Sequence, residues 1–245
     1  MAIQPHLDRP AFYALRRGRW RDWITLLHPP YTAWHLSYVA LGAAVAPTVH
    51  VDRLLAGLAA FFLAVGVSAH ALDELQGRPL GTQISERGLV TVAVAGLLGA
   101  VGIGLAGALT VSWTLLPFVA GGSFLVVAYN LELFDGRFHN DRWFAAAWGA
   151  FPALTGYWVN ALSLDAAGVL VAAACWALSV AQRRLSTPVR ELRRRTAAVE
   201  GQQRMTDGHV VELSAATLAA PLDGALRALS LAVPLLAAGA LAVRL

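Results

Sequence analysis

The chain has 245 residues, 57% of them hydrophobic and 14% charged, and its mean hydropathy is +0.57. Soluble domains carry about 25% charged residues, so the composition excludes an ordinary soluble globule and indicates an integral membrane protein. The net charge of +4 rests on 19 basic residues, all arginine. They fall between apolar runs rather than on one polar face, which argues against nucleic acid as a partner.

In chain order, the stretch FYALRRGRWRDWITLLHPP mixes aromatic residues with arginine, the composition of a helix lying in the membrane interface. It lacks the apolar core and small-residue cleavage site of a signal peptide. Residues 1–30 are therefore expected to form an N-terminal interfacial segment, and residues 31–245 a single transmembrane helical domain. Spans are expected near residues 31–49, 54–72, 89–109, 112–132, 143–163, 166–182 and 225–243, each close to the length that crosses the hydrocarbon core. Residues 209–222 are apolar but short and end at Pro221. They fit a further span, an interfacial helix or a buried segment. Cys175, the single cysteine, has no partner for an internal disulfide and is expected to be a small buried side chain.

Arginine is distributed unevenly between the loops. The N-terminal tail, the loops after the second and fourth spans, and the segment after the sixth hold nearly all of it, and the opposite loops hold little beyond Arg53. The positive-inside rule places the N terminus and the long loops in the cytoplasm, in a cell membrane.

VSAHALDELQGRPLGTQISERGL, residues 67–89, changes from greasy helix to polar loop, and His70, Asp73 and Glu74 sit at the junction. Spacings of three and four put side chains on one helix face. Glu132 ends the fourth span, His139 follows it, and His35 opens the first span, all on the cytoplasmic side. His35, His70, Asp73, Glu74, Glu132 and His139 thus share one depth. Ionisable groups in membrane segments are costly and mark function, so a metal or charged-ligand site is expected there. The competing reading makes Asp73 and Glu74 solvated loop charges and His35 a hydrogen-bonded core histidine. His6, His50 and His209 lie away from this level, and His28, before the Pro29-Pro30 pair, is assigned to neither reading. QRRLSTPVRELRRR follows the sixth span. It is either a solvated, topology-setting run or a source of anion-binding guanidinium groups from Arg183, Arg184 and Arg190.

The AHALDELQGRPLGTQISER segment resembles the first Asp-rich motif and following stretch of the UbiA superfamily of intramembrane prenyltransferases. Asp73 matches a motif aspartate, Arg78-Pro79-Leu80 the segment after it, and Ile84-Ser85-Glu86-Arg87 the next helix start. AYNLEL resembles the Tyr-containing stretch that ends the fourth span, and the similarity covers about residues 25–195. The family's Asn-Asp pair is Ala69-His70 here, its final aspartate falls at Gly77, and the place of its second Asp-rich motif holds arginines. The resemblance implies an all-α UbiA-like bundle of about 7–9 transmembrane helices. It implies transfer of a prenyl or related lipid group from a diphosphate donor, with Asp73, Glu74 and Arg78 as catalytic residues and an isoprenoid or membrane lipid as substrate. The family's divalent metal is expected here on the set that shares one depth, His35, His70, Asp73, Glu74, Glu132 and His139, and the anion on Arg78, Arg183, Arg184 and Arg190. Magnesium suits prenyl transfer, whereas the His-rich set suits iron, manganese or zinc and keeps open a metal-dependent, di-iron-type lipid oxidoreductase. A transporter or lipid-binding protein without catalysis is the third reading.

Overall fold

The computed structural model describes residues 9–245, so His6 lies outside the described residues. Nearly all regular structure is helical. A short helix, α1 (Arg19–Leu26), precedes α2 (Pro29–Val45). Prolines occupy the first turn of α2, where the missing N–H would have had no partner in any case. His28, just before them, has a left-handed backbone with φ 46°. That conformation is costly for a residue with a Cβ, and it turns the chain sharply into the bundle.

Helix α3 runs Val51–Leu75, with a π-helical stretch at Phe62–Ala69. α4 is Glu86–Thr110 and α5 is Trp113–Asn130. α6 covers 141–161, with a second π-helical stretch at Ala146–Ala150. α7 is Ala166–Arg194 and α8 is Ala215–Ala242. Between α7 and α8, an exposed antiparallel hairpin pairs Gln202–Arg204 with Val210–Glu212.

Five of these helices, α3, α4, α5, α7 and α8, are long and apolar enough to cross a membrane. The expected number of 7–9 is not reached by that measure. α2 has 17 residues, and 141–161 is interrupted by its π turn. Two boundaries also differ from those expected. The sixth span does not stop at residue 182: α7 continues through Pro188 to Arg194, so the arginines expected in a loop stand on a helix. Residues 215–222 are not a separate element. Ser214 and Thr217 form a reciprocal N-terminal cap, and the helix then runs through Pro221 to Ala242. A satisfied cap stabilises a helix start, and a proline two turns in removes only one backbone bond.

α2 sits centrally, packed on α3, α6, α7 and α8. Its closest approach is to α6, where glycine permits backbone contact. A Cβ on Gly42 would collide with the Ala153 carbonyl, and one on Gly156 with the Val39 carbonyl. Small residues at helix contacts let apolar helices associate without a hydrophobic driving force. One core joins Trp34 and Tyr38 to Ala153, Cys175 and Val233. Cys175 is buried, as expected. A second core joins Val65 and Ala69 to Val126, Tyr129 and Trp148. Leucines such as Leu98, Leu109, Leu170 and Leu235 point outward, an apolar exterior that suits lipid rather than water.

Candidate functional site

A polar cavity of about 400 Å³ opens at the level where α3 ends and α2 begins. His35, His70, Asp73, His139, Arg183 and Arg190, all singled out in the sequence, line it together. They come from α2, α3, the loop before α6, and α7, so the shared depth is here a shared surface.

The histidines are held in a common way. His35 Nδ1 lies 2.8 Å from the Trp148 carbonyl, His70 Nδ1 3.2 Å from the Gly66 carbonyl, and His139 Nδ1 2.9 Å from the Tyr129 carbonyl. A carbonyl only accepts, so each ring donates its Nδ1–H to it. Backbone carbonyls orient ligating and proton-accepting imidazoles in this manner. Two of the carbonyls, those of Gly66 and Trp148, belong to the π-helical stretches. The widened turn of a π-bulge disturbs the regular hydrogen-bond ladder, and such bulges cluster at functional sites.

His28 also lines the cavity. Its ring stacks on His70, centroids 4.0 Å apart with planes 12° from parallel, and Nδ1 is 2.9 Å from the Tyr13 hydroxyl. Burial pushes His28 well below its ordinary pKa, so the imidazole is neutral near pH 7. Burial likewise pushes the Tyr13 phenol well above its ordinary value. Residues 10–13 lie along one side of the cavity. They are tied down by Arg193, which donates to the Arg9 carbonyl, and Arg194, which donates to the Pro10 carbonyl. This stretch of the expected interfacial segment therefore forms part of the site wall.

Four expected site residues lie elsewhere. Glu74 is fully buried, but its carboxylate accepts from Leu80 N (2.9 Å), Thr82 N (2.8 Å) and Thr82 Oγ1 (2.8 Å). Arg78 donates to the Ile84 carbonyl at 2.6 Å. Both are spent on folding residues 76–85 into a loop, which buried Asp22 also holds by accepting from Gln83 N. Glu132 is exposed in a tight turn with φ 50°, and its Oε1 is 3.9 Å from His139 Nδ1. Arg184 points away from the cavity and is exposed. Adjacent residues on a helix point about 100° apart, so Asp73 and Glu74 cannot share a direction.

Tyr13, Tyr31, Gln182 and Asp223, which carry no sequence signal, also line the cavity, as do Tyr129 and Asn130 of AYNLEL and Arg194 of the arginine run. Uncharged polar and aromatic side chains in apolar helices follow no spacing rule. The expected metal centre meets a geometric difficulty: among the described residues, no three of His, Cys, Asp and Glu are arranged to hold an ion. Glu74 and Glu132 are directed elsewhere. What remains is a cavity of imidazoles and phenols, the Asp73 carboxyl, and guanidinium groups from α7.

A second cavity, apolar and about 340 Å³, lies between α3, α4, α5 and α6. Val65 and Trp148 line both cavities, so the two share a wall. From Val65 the apolar cavity follows α3 as far as Arg53 and Asp52, about 18 Å along the helix. Its lining is largely Ala, Gly, Val, Leu and Phe. No family model, curated protein or solved structure matches the chain.

Proposed function

We propose that the chain is a UbiA-like membrane enzyme that transfers a prenyl or related lipid group from a diphosphate donor. The observation that carries this reading is the abutment of the two cavities at Val65 and Trp148. An amphiphile with an anionic head and an isoprenoid tail has the matching shape. Its head belongs among Arg183, Arg190 and Arg194, and its tail in the apolar groove.

Guanidinium groups pair bidentately with phosphate oxygens, and here they stand where the resemblance would put a second acidic motif. Charge neutralisation of the leaving diphosphate is therefore assigned to these arginines. Positive groups aimed at developing negative charge lower the barrier most where water is excluded. As the bond from C1 to the diphosphate oxygen breaks, positive charge grows on the allylic carbon. Tyr129, Phe144 and Trp148 on the cavity wall offer π faces that attract a cation. Asp73 remains in the cavity to orient the reacting partner.

The topology proposed with this function keeps the polar cavity and the long loops on the cytoplasmic side, on the arginine distribution. Cysteine introduced at Gly136 in a Cys175→Ala background should resist membrane-impermeant labels in sealed cells; external labelling would invert the assignment. The activity itself is tested by titrating protein in nanodiscs with geranylgeranyl diphosphate. Saturable binding at micromolar ligand, abolished by Arg183→Gln with Arg190→Gln, is the expected result. Its absence in the unaltered protein would sink the transferase reading.

A further inference from the structure

Outside the polar cavity, a further cleft of about 570 Å³ opens between residues 9–12, the end of α7 and the first half of α8. It meets the polar cavity only at Ala11, Phe12 and Asp223. Three guanidinium groups line it, those of Arg9, Arg193 and Arg227, against one carboxylate, Asp223. Direct contacts bring these groups together. Arg193 donates to the Arg9 carbonyl at 3.2 Å and pairs with Asp223. Asp223 and Arg227 stand one helical turn apart on α8. The Arg227 guanidinium lies 5.3 Å from the centre of the Phe12 ring, and Phe12 belongs to the same short stretch as Arg9. Asp223 is thus neutralised by Arg193. Arg9 and Arg227 are exposed, and among the described residues neither forms an ion pair.

Arg227 belongs to a helix long and apolar enough to cross a membrane. It stands about 22 Å from Ala242 at the far end of α8, within the roughly 30 Å of a hydrocarbon core. A charge at that depth is costly unless it meets a counter-charge, and its long side chain reaches toward the headgroup layer. The surface that continues from it is apolar. Leu231 and Leu235 follow at steps of four on the same face and are 63% and 60% exposed. The cleft floor beside Arg227 is made of small residues, among them Ala220 and Gly224, and a Cβ on Gly224 would meet nothing within 4 Å. An anion-binding end therefore runs directly into a lipid-facing stripe. A free phosphate uses the first alone, whereas a phospholipid uses both.

We propose that this cleft binds an anionic phospholipid, its phosphate held by Arg9 and Arg227 and its acyl chains lying along α8 past Leu231 and Leu235. Guanidinium groups pair bidentately with phosphate oxygens, and basic pockets between helices at the membrane surface take acidic headgroups. A zwitterionic headgroup brings its own cation into a cleft already rich in guanidinium, so a net negative charge is preferred. Once occupied, the cleft ties residues 9–12, part of one wall of the polar cavity, to α8.

The test uses the full chain in dodecyl maltoside, stripped of lipid. Native mass spectrometry counts bound lipid as phosphatidylglycerol or phosphatidylcholine with matched acyl chains is added. Phosphatidylglycerol should bind about tenfold tighter, the margin expected from one or two charge-assisted contacts. Arg9→Gln with Arg227→Gln should remove that margin. Arg137→Gln with Arg204→Gln takes the same charge from exposed positions elsewhere and should leave it intact. Gly224→Leu should weaken phosphatidylglycerol by filling the cleft while every charge remains. An unchanged unfolding midpoint checks that each variant is folded, and Arg227→Gln alone replaces the double variant if that one fails. Equal affinity for the two lipids overturns the inference, as does a margin that survives the Arg9 and Arg227 substitutions or Gly224→Leu, or one lost equally in the Arg137 and Arg204 variant. An excess of inorganic phosphate should leave phosphatidylglycerol bound; full displacement would assign the cleft to a free anion and overturn the lipid as its occupant.

Discussion

Asp73 and Glu74 are neighbours on the last turn of α3, yet they belong to two different structures. Glu74 faces the loop 76–85, where each carboxylate oxygen already has a donor. Asp73 faces the cavity, where His28, Gln182 and Asp223 each keep an unpaired buried atom. The loop's polar groups are consumed by the fold, whereas those of the cavity are left available. A buried carboxylate is therefore a weak sign of function by itself, and the distinguishing property is whether its hydrogen-bonding capacity is already used.

Four measurements break or sharpen this contrast. The largest expected effect is on Glu74. Glu74→Ala strands three buried donors, which should cost on the order of 4 kcal/mol of stability, read as a drop in the thermal or denaturant midpoint in detergent. Asp73→Asn, measured alongside, should change stability by less than about 1 kcal/mol while weakening ligand binding. A comparable loss in both would erase the distinction between the regions. Next, Arg183→Gln with Arg190→Gln should weaken geranylgeranyl diphosphate by about 100-fold, from the loss of two charge-assisted contacts, with the unfolding midpoint nearly unchanged.

The third measurement is a pH profile of stability. His28 has a folded-state pKa depressed from 6.5 by burial. The unfolded chain then binds a proton that the folded chain refuses once the pH drops below 6.5. The His28 contribution is fully present above that value and should be lost by up to about 1.4 kcal/mol per pH unit as the solution is acidified. His28→Gln should flatten the profile in that window, and an unchanged slope would count against a buried neutral ring. The smallest effect is expected at Glu132. Its side chain is 57% exposed, so Glu132→Ala should shift stability by under about 0.5 kcal/mol and leave ligand affinity unaltered. A large loss of binding would return it to the site.

Hydropathy and arginine placement located the helices because bilayer thickness and loop charge are properties of composition, readable without contacts. The level of His35, His70, Asp73 and His139 was legible for the same reason: depth follows from position within a span. Direction was not. Whether Glu74 or Asp73 meets the cavity depends on the turn at which α3 ends and on how residues 76–85 fold back, neither of which has a local signature. Arg183 and Arg190 line the cavity while Arg184 is exposed, a result of α7 remaining helical through Pro188. Gln182 and Asp223 gave no signal, since a lone polar residue in an apolar helix looks the same whether it faces a neighbour or a cavity.

The stretch at residues 10–13 has a consequence for how the protein is made. It is translated before any helix of the bundle, yet its anchors are Arg193 and Arg194 near the end of α7. α2, the first long helix, packs heavily on α8, the last. Domains and segments fold as they leave the ribosome, N-terminal parts first, but this wall of the cavity has nothing to dock on until about four-fifths of the chain has been synthesised. A nascent chain arrested anywhere before α7 would hold His35, His70 and Asp73 in a half-built pocket open to the surroundings. Ligand binding should therefore appear abruptly, late in synthesis, rather than in step with helix insertion.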